Sequence, residues 1–217
     1  YVQAIQESSN AQVISKVLYP SDDHDEGKLL RLTQQYFLVS ASVQSFIRDH
    51  MAVYGTLENL PEKVAIHIND THPTMAIPEL MRILLDECGY SWEKSANICQ
   101  NLFSYTNHTV LPEALERWDC GMFRCLLPRV FGIICEFDRR LRIILREKGF
   151  SESEISRMAI VENGEIRMAN LCVFATHSTN GVSEHHLTVM ESSVFADLYR
   201  AFPERFSSVT NGIASRR

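Results

Sequence analysis

The chain has 217 residues, of which 45% are apolar and 22% charged, the usual proportions of a globular protein that buries a core. Its 21 basic and 27 acidic residues give a formal net charge of −6, which disfavours a general nucleic-acid-binding surface. No apolar run approaches the roughly 20 residues that a membrane helix needs. These features exclude a disordered or fibrous chain, and we expect a cytoplasmic protein without nucleic-acid or membrane partners.

The six cysteines contain no C-x-x-C pair, and most of them lie in helical apolar patterns. We therefore expect reduced core thiols rather than disulfides or a zinc site. The chain begins and stops inside sequence patterns, which indicates a fragment of a longer protein.

The first third of the chain predicts two helices and a strand. Apolar spacing predicts a first helix over residues 1–18, with a polar interruption at 7–10. The acidic segment 21–27 is rich in turn formers and predicts a loop. A long apolar stripe then predicts a helix that ends near Gly55, and β-branched residues predict a strand over 63–70.

The middle of the chain alternates predicted helices with a predicted strand. A helix over 77–88 ends at Gly89, and Ser91 can cap a further helix to about residue 100. Residues 102–106 predict a second strand. Because strands alternate with helices, we expect a parallel α/β sheet.

The last part of the chain predicts several helices and a third and fourth strand. We expect a short helix over 112–118, a longer one over 123–145 with a break at Pro128, and a capping box at 151–154. The apolar residues 171–175 predict the third core strand. The remaining predictions are a turn at 180–181, a helix over 182–198 and a closing strand near 208–212.

Four polar clusters follow these predicted strands, where an α/β sheet binds its ligands. Their amides, hydroxyls and imidazoles suit a neutral ligand covered in hydroxyl groups, and sugar is the obvious candidate. An isolated Asp or Asn in such a place more often caps a helix, and a lone His is more often structural. The clusters occupy 69–72, 105–108, 177–181 and 210–212.

Other site chemistries have weaker support in the residues. Asp70, His72 and His108 could hold a metal, but their spacing matches no metalloprotease pattern. Phosphate-binding loops and a hydrolase nucleophile elbow have no matching sequence pattern. Nothing in the spacing selects a glycosidase carboxylate pair. The residues alone thus lead to an α/β domain with a sugar-compatible rim.

Several sequence stretches nevertheless resemble the α-glucan (glycogen) phosphorylase family, in the same order along the chain. The most specific is the 14-residue stretch YTNHTVLPEALERW at 105–118. The others are VLYP at 17–20, EGK at 26–28, LRLTQQYF at 30–37, INDTHP at 68–73, AIPELMRIL at 76–84, NGV at 180–182 and TNGI at 210–213.

The resemblance implies an α/β fold, the parallel-sheet Rossmann-like half of a GT-B glycosyltransferase architecture, present here as a fragment. Residues 1–210 would be the C-terminal part of the family's N-terminal domain. Within them, 1–18 resemble a tower-like dimer helix and 20–27 the gate loop of the active site. Residues 211–217 would begin the crossover to the C-terminal domain.

The resemblance also implies an activity. Members release glucose 1-phosphate from the non-reducing end of an α-1,4-glucan such as glycogen or maltodextrin, with inorganic phosphate as co-substrate. They act as homodimers and carry pyridoxal phosphate on a lysine that would lie outside this segment. We therefore expect no cofactor or metal ligands in the segment, and no activity from the segment alone.

Site residues can be assigned by the same resemblance. His108 and Asp22 match catalytic positions, with His108 at the reacting glucosyl unit. The positions that match substrate-binding residues are Asp23, Asp70, His72, Asn107, Val182 and Asn211.

The gate departs from the family pattern at two positions, of which Asp23 changes the charge. Members usually have Asn-Asp-Asn where this chain has Ser21-Asp22-Asp23. Asp23 thus replaces an amide by a carboxylate, which accepts hydrogen bonds but cannot donate them.

Two other functions remain as alternatives. A glucan-binding module would lack the lysine-bearing cofactor motif in the rest of its reading frame, whereas a phosphorylase would contain it. A metal hydrolase using His72 and His108 would contain stoichiometric zinc.

Overall fold

A computed structural model describes residues 2–17, 20–212 and 216. Four parallel strands form the main sheet, and three antiparallel strands form a small second sheet. Counted along the chain, the main sheet contains the first, second, sixth and seventh strands, which lie side by side in that order. The strands are β1 (Ile66–Asn69), β2 (Phe103–Asn107), β3 (Arg117–Asp119), β4 (Val161–Glu162), β5 (Glu165–Arg167), β6 (Ser178–Gly181) and β7 (Phe206–Ser208). The expected α/β class with a parallel sheet is confirmed.

Helices connect the parallel strands, as parallel pairing requires. They are α1 (Val2–Lys16), α2 (Asp25–Tyr54), α3 (Leu60–Lys63), α4 (Ala76–Arg82), α5 (Trp92–Leu102), α6 (Cys120–Leu126), α7 (Pro128–Glu147), α8 (Glu152–Met158), α9 (Met168–Ala175), α10 (Glu184–Val189) and α11 (Ala196–Ala201). Single π-helical turns continue α4 and α10 over Ile83–Glu87 and Met190–Val194. Within the described ranges no helix is long and apolar enough to cross a bilayer.

One continuous core lies between the sheet and its helices. Helices α5 and α9 pack on β2, and α4 packs between α2 and α7. The largest fully buried side chains include Tyr105 and Phe103 of β2 and Leu80 of α4. This core fixes the carboxyl ends of the strands, on which the polar clusters lie.

Local sequence signals placed several helix ends correctly. Ser91 accepts a hydrogen bond from the Lys94 backbone N–H, and Ser151 forms the expected capping box with Glu154. The break at Pro128 is real, since α6 ends at Leu126 and α7 begins at Pro128.

The predicted third strand is wrong. Residues 171–175 belong to helix α9, whose side chains are buried almost all round. A short apolar run cannot distinguish a buried helix from a buried strand. The third parallel strand is instead β6, which includes the Asn180-Gly181 pair predicted as a turn. Its buried amide, Asn180, is accommodated in the sheet because its side chain is hydrogen-bonded there.

Three further boundaries differ from the predictions. Residues 112–118 form a 3-10 turn at Pro112–Ala114 and then strand β3, not one helix. Helix α1 runs through its polar stretch without interruption. Helix α2 begins at Asp25, inside the segment predicted as a loop. The residues of its first turn are acidic, and negative charge is favourable at the positive N-terminal end of the helix dipole. The gate segment 20–27 is therefore a loop only as far as His24.

Candidate functional site

The carboxyl ends of the parallel strands bring three of the four polar clusters to one edge of the sheet. In the strand register Asn69 lies beside Thr106, and Asn107 lies beside Gly181. His108 follows β2 directly, and its Nε2 lies 2.6 Å from Asn69 Oδ1. The sheet register thus places His108 over the end of β1.

Asp70 makes the sharp exit from β1. Its φ of 62° lies in the left-handed region, where Asp is one of the few tolerated non-glycine residues. Its backbone N–H donates to Thr106 O (3.0 Å), and its carboxylate accepts the Thr71 backbone N–H (2.7 Å). One carboxylate oxygen of Asp70 is therefore used to hold its own turn.

Asn107 is fully buried and connects three segments. Its Nδ2 donates to Tyr105 Oη (3.0 Å), while its Oδ1 accepts from the Thr109 backbone N–H (3.2 Å). The same Oδ1 lies 2.9 Å from His186 Nε2 in helix α10. Desolvation, followed by the proximity of His108, lowers the pKa of His186, so this imidazole is neutral at neutral pH.

The polar strand β6 is held from inside the sheet. Thr106 Oγ1 donates to Asn180 Oδ1 (2.7 Å), and His67 Nε2 is hydrogen-bonded to the same Thr106 hydroxyl. Asn180 Nδ2 donates to Gly181 O (3.2 Å). These bonds satisfy side chains that would otherwise be costly to bury.

A cavity of about 840 Å³ lies next to this edge. It lies between the gate, the start of α2 and the segment that leads into β3. Its lining is strongly polar and has more carboxylates than basic groups. The lining residues are Asp22, Asp25, Lys28, Arg31, His72, Glu113, Ala114, Leu115, Glu116, Arg117, Trp118, Asp119, Met122 and Glu165.

Glu116 is the centre of a charged cluster in the cavity wall. Its Oε1 accepts from Gln35 Nε2 (2.9 Å) and lies 3.6 Å from His72 Nδ1 and 4.0 Å from Arg31 Nη2. The hydrogen bond with Glu116 raises the pKa of His72 against the opposing effect of burial. Arg31 in turn donates to Asp22 Oδ2 (3.1 Å) and so holds the gate at the cavity.

Two atoms in the cavity wall are buried without a hydrogen-bond partner in the structure. They are Glu116 Oε2, an acceptor, and Trp118 Nε1, a donor. Gln35 Oε1, behind Glu116, is in the same state. A buried polar group left without a partner costs roughly 1–3 kcal/mol. The hydrogen bonds open to a ligand come instead from the exposed polar groups of the lining, such as the side chains of Asp22 and His72.

The gate is packed closely on the start of α2. A Cβ at Gly27 would lie 1.8 Å from Ser21 O and 2.8 Å from His24 Nδ1. Only glycine therefore allows the gate backbone to approach the helix in this way. Asp23, which is exposed, accepts a hydrogen bond from Ser21 Oγ (2.8 Å) within the gate.

The structure divides the residues assigned from the sequence into two groups. Asp22 and His72 line the cavity, with Asp23 on the adjoining gate. The second group lies at the strand ends, and Asn211, three residues after β7 ends at Ser208, is exposed. The strand-end group consists of Asp70, Asn107, His108 and Val182.

The sequence analysis did not identify the side chains that hold the cavity group and the strand-end group in place. Arg31, Gln35 and Glu116 are separated by up to 85 positions, and His186 lies 79 positions from Asn107. Arg31, Gln35 and Glu116 do lie inside the stretches that resemble the phosphorylase family. No local pattern shows that these three side chains meet.

The lysines lie outside the buried core. Lys28, on the cavity wall, is exposed, and Lys94, in the first turn of α5, is paired with Glu58. The other lysines, Lys16, Lys63 and Lys148, are exposed. Among the described residues no group of three or more His, Cys, Asp or Glu side chains could hold a metal ion.

Comparison with known proteins gives one consistent result. A family model described as carbohydrate phosphorylase matches residues 1–217. The glycogen phosphorylase of Haemophilus influenzae is 46% identical over 100% of the chain, and that of Bacillus subtilis is 47% identical over 95%. The H isozyme of wheat α-glucan phosphorylase is 46% identical over 100%. The chain spans only 26–27% of the length of these relatives. It belongs to the carbohydrate phosphorylase family.

Proposed function

We propose that the longer protein containing this chain is an α-1,4-glucan phosphorylase, a glycosyltransferase that releases glucose 1-phosphate from glycogen or maltodextrin with inorganic phosphate. Beyond family membership, one observation carries the proposal. The cavity beside the strand ends presents accessible groups of both kinds, since the Asp22 carboxylate accepts hydrogen bonds and the Arg31 guanidinium donates them.

A sugar is the ligand that best matches this lining. Each sugar hydroxyl donates one hydrogen bond and accepts others, so one ring can bond to donors and acceptors at once. A hydrogen bond to a charged group such as Asp22 contributes about 1.5–3 kcal/mol. The cavity therefore favours a polyhydroxylated neutral ligand over an apolar one.

The charge of the cavity disfavours phosphate as its occupant. Six carboxylates face three basic side chains in its lining. A phosphate dianion would be repelled here, by about 1 kcal/mol per unit charge at 4 Å in bulk water and by more where solvent is excluded. We therefore assign inorganic phosphate and pyridoxal phosphate to the part of the protein outside this chain.

That assignment agrees with the proposed domain arrangement. Residues 1–210 would form the C-terminal part of the N-terminal domain of a GT-B enzyme, with 211–217 beginning the crossover. The two domains would then face each other at the carboxyl edge of the sheet, where α/β proteins bind ligands. The isolated segment would be inactive, because it supplies only the glucan side.

His108 would address the reacting glucosyl unit. With Asn69 Oδ1 as the acceptor of its Nε2–H, the ring has the tautomer in which Nδ1 is an unprotonated acceptor. Nδ1 can accept a sugar hydroxyl, and the backbone carbonyl beside it supplies a fixed dipole that stabilises developing positive charge. Val182 and Asn211 would contact the same sugar from β6 and the segment after β7.

The gate and the first helix support two further parts of the proposal. Asp22, held by Arg31, would control access to the sugar, while Asp70 and His72 would line the adjoining glucan path. Helix α1 exposes Ile5 and Val13, as expected of a helix that pairs in a homodimer. A cytoplasmic location follows the same family proposal.

The test is a product assay on the full-length protein. With maltoheptaose and inorganic phosphate we expect glucose 1-phosphate, and none when phosphate is omitted. Free glucose formed without phosphate would refute phosphorolysis in favour of hydrolysis. Oligosaccharide binding without either product would show a binding module.

A matched pair of variants tests the cavity itself. Glu116→Gln removes the charge that holds His72 and Arg31 at the cavity wall and should raise the KM for maltoheptaose about fivefold or more. Glu204→Gln makes the same change on an exposed carboxylate outside the cavity and should leave KM unchanged. Equal KM values for both variants would remove Glu116 from the glucan site.

A further inference from the structure

His186 is a buried histidine that the proposed reaction does not use. Its Nε2 lies 2.9 Å from Asn107 Oδ1, across the boundary between α10 and β2. Because the Thr109 backbone N–H donates to the same atom, that atom is the amide oxygen, and His186 must donate to it. The hydrogen-bond network thus assigns the Nε2–H tautomer to His186.

The same Asn107 oxygen holds the turn that carries His108. It accepts the Thr109 backbone N–H (3.2 Å), so the chain from Asn107 to Thr109 closes around His108. Asn69 fixes the His108 ring from the other side. The backbone of His108 therefore depends on the orientation of the Asn107 amide, which His186 sets.

Helix α10 is built so that His186 can reach Asn107. Ser183 caps the helix by accepting the His186 backbone N–H (3.1 Å). A Cβ on Gly181 would lie 3.1 Å from Leu187 N and 3.4 Å from His186 Cδ2, so only glycine lets α10 approach β6 this closely. The β6–α10 connection, which also carries Val182, is thereby tied to the end of β2.

We propose that His186 is a positioning residue: by donating to Asn107, it fixes the turn that presents His108 to the glucosyl unit. It touches neither substrate nor reacting atoms. The effect on catalysis rests on the proposed function, whereas the effect on the turn does not. Loss of the His186 donor should weaken the hydrogen bonding of the 107–109 turn more than it weakens the binding of glucan.

The experiment compares three variants of the full-length protein. His186→Phe keeps a ring and removes the donor, and His186→Gln keeps an amide N–H donor at similar reach. His185→Phe is the matched control, because His185 is the exposed neighbour on the same helix. If His186→Phe fails to fold, His186→Met, which also lacks a donor, replaces it.

Two measurements are made on each variant. Hydrogen exchange followed by mass spectrometry reports the amides of 107–111, and phosphorolysis of maltoheptaose reports kcat and KM. For His186→Phe we expect this segment to exchange about tenfold faster and kcat to fall about tenfold, with KM within about twofold of the wild-type value. Both effects follow from one buried acceptor losing its donor. His186→Gln should restore most of both, and His185→Phe should change neither.

The outcomes separate the two proposals. Unchanged exchange in His186→Phe, or equal losses in the Phe and Gln variants, would overturn the positioning role. A wild-type protein that makes no glucose 1-phosphate would refute the proposed function, and the exchange data would still decide whether His186 holds the turn.

Discussion

Replacing Gly27 by alanine should disturb the gate through a single contact. Gly27 lies in the first turn of α2, where alanine would ordinarily be favoured over glycine by about 0.5–1 kcal/mol. Here the added Cβ would lie 1.8 Å from Ser21 O, whereas an ordinary contact needs at least 3.4 Å. The gate backbone would have to retreat by about 1.6 Å to restore that contact.

A displacement of this size removes the gate's attachment. Asp22 Oδ2 and Arg31 Nη1 are now 3.1 Å apart, and a shift of about 1.6 Å takes them out of hydrogen-bond range. Overpacking of this kind costs about 1–3 kcal/mol, more than the helix propensity returns. We therefore expect local opening of the gate rather than loss of the fold.

The assay is hydrogen exchange of the 21–27 segment in the full-length protein, with the melting temperature measured in parallel. Gly27→Ala should speed exchange of this segment about tenfold, since 1–3 kcal/mol of local stability is lost. The matched control is Gly132→Ala in helix α7, where an added Cβ meets nothing within 4 Å. It should leave gate exchange unchanged and stabilise the protein by about 0.5–1 kcal/mol. A Gly27→Ala protein with wild-type gate exchange would refute the steric argument.

Four more predictions follow from individual side chains. Glu79 is fully buried and accepts hydrogen bonds from Arg82. Arg82→Met would leave this buried charge without its partner and should destabilise the protein by about 3–5 kcal/mol. A loss of under 1 kcal/mol in thermal melts would contradict this. Burial opposes ionisation of Glu79, but hydrogen bonds led by that from Arg82 lower its pKa below the ordinary value of 4.5. The stability that this shift contributes is present above the unfolded pKa and is lost as pH falls through the folded pKa. The melting temperature of Glu79→Gln should therefore fall less between pH 6 and pH 3 than that of the wild type. In full-length enzyme assays, Asp23→Asn should lower the KM for phosphate at low salt and less so at high salt, and an unchanged KM at both would leave Asp23 as a neutral surface residue. His108→Ala should lower kcat about tenfold or more with little effect on glucan KM, and the reverse pattern would move His108 away from the reacting sugar.

Local signals in the sequence were sufficient for much of the helical framework. Ser91 and Ser151 act as caps because a side-chain oxygen satisfies a backbone N–H that no intrahelical partner can reach. Pro128 divides α6 from α7 because it lacks an N–H and suits a first helical turn. The family could also be identified from the sequence, because long runs of specific residues occur in the expected order.

The main error in the fold came from residues 171–182. The apolar run became helix α9, and the polar Ser178–Gly181 became a central strand. Burial on all sides removes the periodicity that distinguishes the two structures, and a polar strand is stable only where neighbours such as Thr106 satisfy its side chains. Those neighbours are set by the sheet order, which no local window contains.

The sequence by itself determined the α/β class, several helix ends, the family and the polar clusters that follow the strands. Only the tertiary structure decided that Gln35 and His72 meet Glu116 at the cavity wall and that His186 reaches Asn107. The reason is physical: sequence periodicity reports which face of an element is buried. Contacts between residues tens of positions apart depend instead on strand register and on how closely backbones approach, as they do at Gly27.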